Sequence, residues 1–275
     1  MKIKKNDIDL DSTLMSGQAF RITKELDNSY TCILNDRVVN IKEDNGFLIV
    51  NSNKEENLEM VVKHYLDYGR DYSLINEKLS ASDVFYGGVP VGYKVLKQDK
   101  FEMYISYIIS QNNNVKRISS TINKISEKYG EKVEFNNKTY YLFPKMSDMI
   151  NLTKDDLKEF NLGFRDEYVY NALTVLKENP FYLEELDMLN TDVALKSLMK
   201  IKGIGLKVAS CILMFGYSRF DTFPIDTWVK KYVSEKLGIK DDIKVISKYM
   251  KEIFNEYSGL AIQYMYHINR NRKLD

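Results

Sequence analysis

Hydrophobic and polar positions along the 275-residue chain change period once, near residue 56. Before that point, Ser29-Tyr-Thr-Cys-Ile-Leu, Arg37-Val-Val-Asn-Ile and Phe47-Leu-Ile-Val are rich in β-branched and aromatic residues and predict strands. Asn35-Asp36 and Asn45-Gly46 separate them, and Asn-Gly is a strong hairpin signal because both residues tolerate the backbone of a tight turn. From Glu56 the apolar positions recur at helical spacing, first as Leu58, Val61, Val62 and Tyr65, before a loop at Phe85-Tyr-Gly-Gly-Val-Pro90. After Tyr93 the pattern predicts helix almost to the end. Phe101, Tyr104, Ile105, Ile108 and Ile109 form one apolar face; Val115, Ile118, Ile122, Ile125 and Tyr129 form another, closed by Gly130 as a C-cap. Thr153 and Asp156 have the spacing of a capping box for a helix reaching Phe160. Further helices are predicted over 183–199, 206–215, 227–237 and 243–257, with a last one from about residue 260. The layout is α+β: a small N-terminal antiparallel β-sheet domain with a helical linker over 1–92, then an all-helical domain over 93–275.

Composition narrows the function. With 44% hydrophobic and 29% charged residues the chain reads as an ordinary globular protein, and a net charge of only +1 confines any nucleic-acid surface to a local patch. No apolar run approaches the ~20 residues of a membrane helix. Met1-Lys-Ile-Lys-Lys-Asn-Asp lacks the apolar core of a signal peptide, so the expected location is cytoplasmic, on the nucleoid in a prokaryote. Cys32 and Cys211 are the only cysteines, and His64 and His267 the only histidines. That set suits neither a disulfide framework nor a zinc or iron–sulfur site, so catalysis is expected to rely on organic side chains with no required cofactor.

Candidate chemistry concentrates in Ile201-Lys-Gly-Ile-Gly-Leu-Lys207-Val-Ala-Ser-Cys211, followed by Pro224-Ile-Asp226. Gly203 and Gly205 open a turn into a helix whose first amides are unpaired and can grip a phosphate. Residues 193–220 include Lys196, Lys200, Lys202, Lys207 and Arg219 and no Asp or Glu, a local excess suited to a polyanion. A bare Gly-x-Gly would suggest only a packed surface turn; the lysine two residues on, with a carboxylate at Asp226, favours chemistry on a nucleic acid. Lys207, Cys211 and Phe215 lie four apart and share one helical face. In that setting the lysine either snorkels to water or stays partly dry as an available amine nucleophile.

Taken together with Ser16-Gly-Gln-Ala-Phe-Arg21, Val95-Leu-Lys-Gln-Asp99, Ile109-Ser-Gln-Asn-Asn-Asn114 with Arg117, and Leu162-Gly-Phe-Arg165, the chain resembles the helix-hairpin-helix (HhH-GPD) DNA glycosylases, and among them the 8-oxoguanine DNA glycosylase/AP lyases. The matches occur in order over nearly the whole chain. The resemblance implies that Lys207 is the nucleophile that attacks C1′ and forms a Schiff base. Asp226 would stabilise positive charge on the sugar, and would also cap the helix starting at Thr227. It implies that Gly17 reads the N7 hydrogen of the lesion through its carbonyl, and that Cys211 and Tyr266, with Phe215 close by, hold the flipped base. Asn112, Arg117 and Arg165 would hold the orphaned cytosine, and Phe164 would fill the emptied stack. Carbonyls at Met199, Ile201 and Ile204 match a backbone cation site. The implied partner is double-stranded DNA carrying 8-oxoguanine opposite cytosine, bound by a monomer without a membrane. Two positions depart from the pattern: Ile262 stands where the family has a glutamine, with Gln263 beside it, and Trp228 stands where some members have a phosphate-contacting histidine. The alternatives are a related glycosylase for another oxidised base and a non-catalytic DNA-binding module.

Overall fold

The computed structural model of the chain describes residues 1–85, 88–225 and 227–272. Five short strands, β1 (Lys2–Lys4), β2 (Ile22–Lys24), β3 (Tyr30–Ile33), β4 (Val38–Asp44) and β5 (Phe47–Ser52), form an antiparallel sheet in the order β1-β5-β4-β3-β2. The predicted hairpin is present: Asn45 and Gly46 both take positive φ, 47° and 77°, and Asp44 pairs with Phe47 across them. Helix α1 (Leu10–Leu14) lies between β1 and β2, and α2 (Leu58–Tyr65) follows the sheet. The sheet buries Cys32, Val39, Ile41, Leu48 and Val50 against Leu58, Val62 and Leu66. Strands β1 and β2 have three residues each, too few to show a period, and sequence pattern alone does not reveal them.

The helices that follow are α3 (Tyr72–Ser80), α4 (Lys100–Ile109), α5 (Val115–Tyr129), α6 (Met146–Met149), α7 (Lys154–Lys158), α8 (Arg165–Glu178), α9 (Tyr182–Met188), α10 (Thr191–Met199), α11 (Leu206–Tyr217), α12 (Thr227–Leu237), α13 (Ile243–Phe254) and α14 (Ser258–Arg272). Thr153 and Asp156 form the expected capping box on α7. The expectation of helices almost to the end after Tyr93 is refined in two places. A second hairpin, β6 (Lys132–Phe135) and β7 (Lys138–Tyr141), is inserted after α5, because Asn136 and Asn137 both adopt positive φ and reverse the chain in two residues. Its Phe135, with Leu142, buries itself on Val38 of the sheet. The single helix expected over 183–199 is two, since the Asn190 side chain accepts from the Val193 N–H and starts α10 afresh. Gly130 does end α5, but with φ −85°; glycine is required there because a Cβ would lie 1.9 Å from the Leu142 carbonyl oxygen.

Helix α4 is the central element. Every residue from Phe101 to Ile109 is buried, and the helix packs on α11 and α8. Gln18, 2% exposed, ties the first loop to the segment entering α4. Its Nε2 donates to the Thr13 and Lys94 carbonyls at 2.8 and 2.9 Å, and its Oε1 accepts from the Leu96 N–H at 2.8 Å. Although α3 precedes residue 93, its Tyr72, Ile75 and Leu79 pack into the helical core rather than the sheet core. Among the described residues no helix is long and apolar enough to cross a membrane.

Glu102 is enclosed on the first turn of α4. Burial pushes its carboxyl up to about 7, although the nearby Arg21 guanidinium pulls the other way. Between about pH 4.5 and 7 the folded protein therefore holds a proton that the unfolded chain has released, so this group lowers stability as pH rises through that window. Glu102→Gln removes that fall, worth up to about 3 kcal/mol. Urea unfolding across pH 4.5–8 checks it, and a slope as steep in the variant as in the parent would assign the effect elsewhere.

Candidate active site

The hairpin between α10 and α11 is a tight turn. The Ile201 N–H donates to Leu198 O and the Ile204 N–H donates to Ile201 O, both at 3.0 Å. Gly203 takes φ 100°, and a Cβ there would sit 2.2 Å from Cγ of Tyr168, so conformation and space both demand glycine. Gly205 differs. Its φ of −91° and ψ of 177° are open to any residue, and a Cβ would meet nothing within 4 Å. It is the N-cap of α11 and offers no side-chain cap, so the first amides of a 12-residue helix face outward unpaired. Conformation and space dictate Gly203; neither demands glycine at Gly205, which serves as an N-cap and leaves the space over the helix start open to a ligand.

Lys207 lies on the first turn of α11, half-buried, with its Nζ 5.7 Å from the centroid of the Tyr107 ring. It makes no salt bridge among the described residues. Gly17, Lys207, Cys211, Phe215 and Tyr266 line one cleft of about 140 Å³, so the structure gathers residues from three distant stretches of chain. Gly17 has φ 87°, Cys211 and Phe215 are buried, and Tyr266 is 37% exposed. Phe215 is engaged in stacking on Tyr107, at 5.3 Å between centroids and 10° between planes. Helix α14 presents both Ile262 and Gln263 to the cleft, the first 1% exposed and the second half-buried. Asp226 lies outside the described residues; Pro224 lines the cleft.

A second group forms where α4 ends. Asn112 takes φ 46° and is exposed. The Arg165 guanidinium donates to the carbonyls of Gln111, Leu162 and Asn112 at 2.6, 3.0 and 2.8 Å, and stacks over Phe164 at 4.4 Å. A guanidinium has five N–H groups, so these three bonds leave two uncommitted on a side chain that is 8% exposed. Burial, then the neighbouring Arg117 charge, lowers the Arg165 pKa from its ordinary value. Phe164 is 49% exposed, and Arg117 is exposed. The Gln111 side chain donates to Gly203 O at 2.9 Å, fixing this group to the hairpin. The basic run is less uniform than its sequence suggests: Lys202 pairs with Glu167, while Arg219 donates to Leu186 O at the far end of α11, about 18 Å from Lys207 by helix length.

A larger cleft of about 680 Å³ lies at that far end, among Arg21, Glu102 and Tyr217. Its amines, Lys97 and Lys100, are ion-paired to Asp67 and Asp187, so it offers no uncommitted nucleophile of the Lys207 kind. Among the described residues no cluster of three His, Cys, Asp or Glu could hold a metal. Tyr107 also lines the Lys207 cleft, a place hidden from sequence, where it is one more aromatic in an apolar helix; its polar tip was the available signal.

The arrangement can seat a phosphate at the hairpin and a flat ring in the cleft, with an amine beside it. Residues 1–104 match the family described as 8-oxoguanine DNA glycosylase, N-terminal domain. The apo 8-oxoguanine glycosylase/lyase of Clostridium acetobutylicum superposes with a TM-score of 0.90 and 32% identity, covering 97% of this chain and 95% of that one. The same enzyme bound to double-stranded DNA with cytosine opposite 8-oxoguanine gives 0.91 and 31%, covering 99% and 98%. An N-glycosylase/DNA lyase of Saccharomyces cerevisiae is 26% identical over 293 residues, 95% of this chain and 76% of its own length. The chain belongs to the 8-oxoguanine DNA glycosylase/lyase family.

The two hairpin glycines separate fold from binding. Gly203→Ala should cost about 2 kcal/mol or more, through positive φ and the Tyr168 contact. Gly205→Ala should cost about 1 kcal/mol or less, as a change of N-cap, yet weaken binding to duplex DNA. Thermal melting and fluorescence anisotropy with a labelled duplex distinguish them; undiminished binding by Gly205→Ala would show that no phosphate approaches there.

Proposed function

We propose that this protein excises 8-oxoguanine from duplex DNA and then cleaves the abasic strand, using Lys207 as its nucleophile. The observation that carries the reading is the Lys207 amine, on the first turn after the hairpin, in the same cleft as Gly17, Cys211 and Tyr266. The target nucleotide leaves the stack, and its base enters between Cys211 and Tyr266, with the Gly17 carbonyl accepting the N7 hydrogen that guanine lacks. As the C1′–N9 bond breaks, its electron pair leaves with the base, which takes up a proton. The Lys207 amine bonds to C1′ through its lone pair; a proton passes from that nitrogen to O4′ as the C1′–O4′ bond breaks, leaving a protonated imine. Loss of a C2′ proton then expels the 3′ phosphate. Asp226 stabilises the positive sugar during base loss. On this reading residues 1–92 and 93–275 form the two domains, the protein is a cytoplasmic monomer that needs no cofactor, and the carbonyls of Met199, Ile201 and Ile204 hold a cation at the hairpin.

Borohydride trapping on an oligonucleotide with one 8-oxoguanine tests the nucleophile. The parent should form a covalent adduct and Lys207→Gln should form none while still binding the lesion; an adduct in the variant would place the nucleophile elsewhere, and none in the parent would leave a DNA-binding module.

Opposite the lesion, Asn112, Arg117 and the two remaining N–H groups of Arg165 favour cytosine, whose edge presents acceptors. Discrimination of about 1–3 kcal/mol is expected for a good bidentate contact. Excision rates opposite the four bases, with Arg117→Ala and Arg165→Ala alongside, check this. Equal rates in the parent would remove the preference; a preference unchanged in both variants would remove its assignment to the arginines.

A further inference from the structure

We infer that Tyr107 is a positioning residue that holds the Lys207 amine and the loop over 16–18 in fixed relation to each other. The inference rests on the proposed function and deepens it. Tyr107 lines the cleft and is 5% exposed, and an aromatic there needs no explanation beyond packing. Two contacts go further. The face of the ring lies under the Lys207 ammonium, 5.7 Å from centroid to Nζ, within range of a cation–π contact. The hydroxyl donates to the Gln18 carbonyl at 3.3 Å, one residue from Gly17. That carbonyl already accepts from the Gln98 side chain at 2.8 Å, so phenylalanine in place of Tyr107 would orphan no backbone group. The hydroxyl is therefore dispensable for satisfying the fold.

The ring itself is held from the remaining sides. Phe215 stacks on it at 5.3 Å and Phe20 meets it edge-on at 5.6 Å. Burial holds the phenol well above its ordinary range, so it stays a hydrogen-bond donor and takes no proton from the amine. A ring face fixes where the amine sits without engaging its hydrogens as an acceptor would. A carboxylate would hold the ammonium through a charge-assisted hydrogen bond; the ring face attracts it more weakly and gives it up more readily to the substrate. The hydroxyl, at the other end of the same rigid side chain, fixes the loop that carries Gly17. Lesion reading and attack are thus registered through one residue.

The test compares Tyr107→Phe and Tyr107→Leu with the parent on two duplexes, one carrying 8-oxoguanine opposite cytosine and one a preformed abasic site. Single-turnover excision is read on the first and the rate of borohydride trapping on the second, with melting temperatures to correct for folded protein. The Phe variant keeps the ring and should slow excision about tenfold while trapping falls no more than about threefold. The Leu variant should slow both at least about tenfold. Trapping by the Leu variant at the parent rate would overturn the amine contact. Equal slowing of both reactions in the Phe variant, or no slowing of excision, would overturn the link to the loop, and this arm decides alone if the Leu variant does not fold. A parent that forms no adduct on either duplex would instead overturn the proposed function itself.

Discussion

The buried amide of Gln18 is the interaction on which the site depends. Three backbone groups, the carbonyls of Thr13 and Lys94 and the N–H of Leu96, have it as a hydrogen-bond partner. The backbone carbonyl of Gln18 receives two more donors, from Gln98 and Tyr107. A side-chain amide supplies both donors and an acceptor, which no apolar or charged residue could do at that position without stranding a buried polar group. Through it the turn carrying Gly17 is bound to the strand-like entry into α4, and α4 in turn carries α11 on its buried face. A loop from the first twenty residues is thereby brought opposite a lysine from the third hundred.

Charge is arranged sparingly around the cleft. Beside the hairpin Lys202 is paired with Glu167, whereas Lys207 faces a ring. Farther along, Arg165 is held by two carbonyls just past the C-terminal end of α4, those of Gln111 and Asn112, and by that of Leu162 in the turn before α8. The hairpin amides and these guanidinium groups sit on segments joined by the Gln111 to Gly203 hydrogen bond. The two therefore form one connected edge of positive potential suited to a polyanion.

Much of this was legible in sequence because the relevant patterns are local. The Asn45-Gly46 turn, the Thr153 capping box and the helical stripes of α4, α5 and α11 each carry their signal within a few residues. The β6–β7 insertion was not legible, since four-residue strands show no period and Asn136-Asn137 does not stand out in an asparagine-rich chain. At the site, the order of motifs pointed to the cleft residues, but the fourfold spacing of Lys207, Cys211 and Phe215 could not reveal that Phe215 is engaged with Tyr107. Nor could it separate Gly203, which the fold requires, from Gly205, which it does not. Such distinctions depend on what lies across the gap from a residue, and no pattern along one chain encodes that.

Asparagine holds many of the tight corners of this molecule. Of the eleven non-glycine residues with positive φ among those described, nine are asparagine, including Asn45, Asn112, Asn136 and Asn137. Asparagine reaches that conformation at modest cost, because its short amide can bond to nearby backbone. Glycine would reach it with no strain, but it would also enlarge the set of conformations open to the unfolded chain, which folding must then give up. Turns built this way lose less entropy on ordering than their glycine counterparts. The loop that carries Asn112 and the turns at Asn45 and Asn136-Asn137 are therefore stiffened by the freedom denied to the unfolded chain as well as by contacts in the folded one.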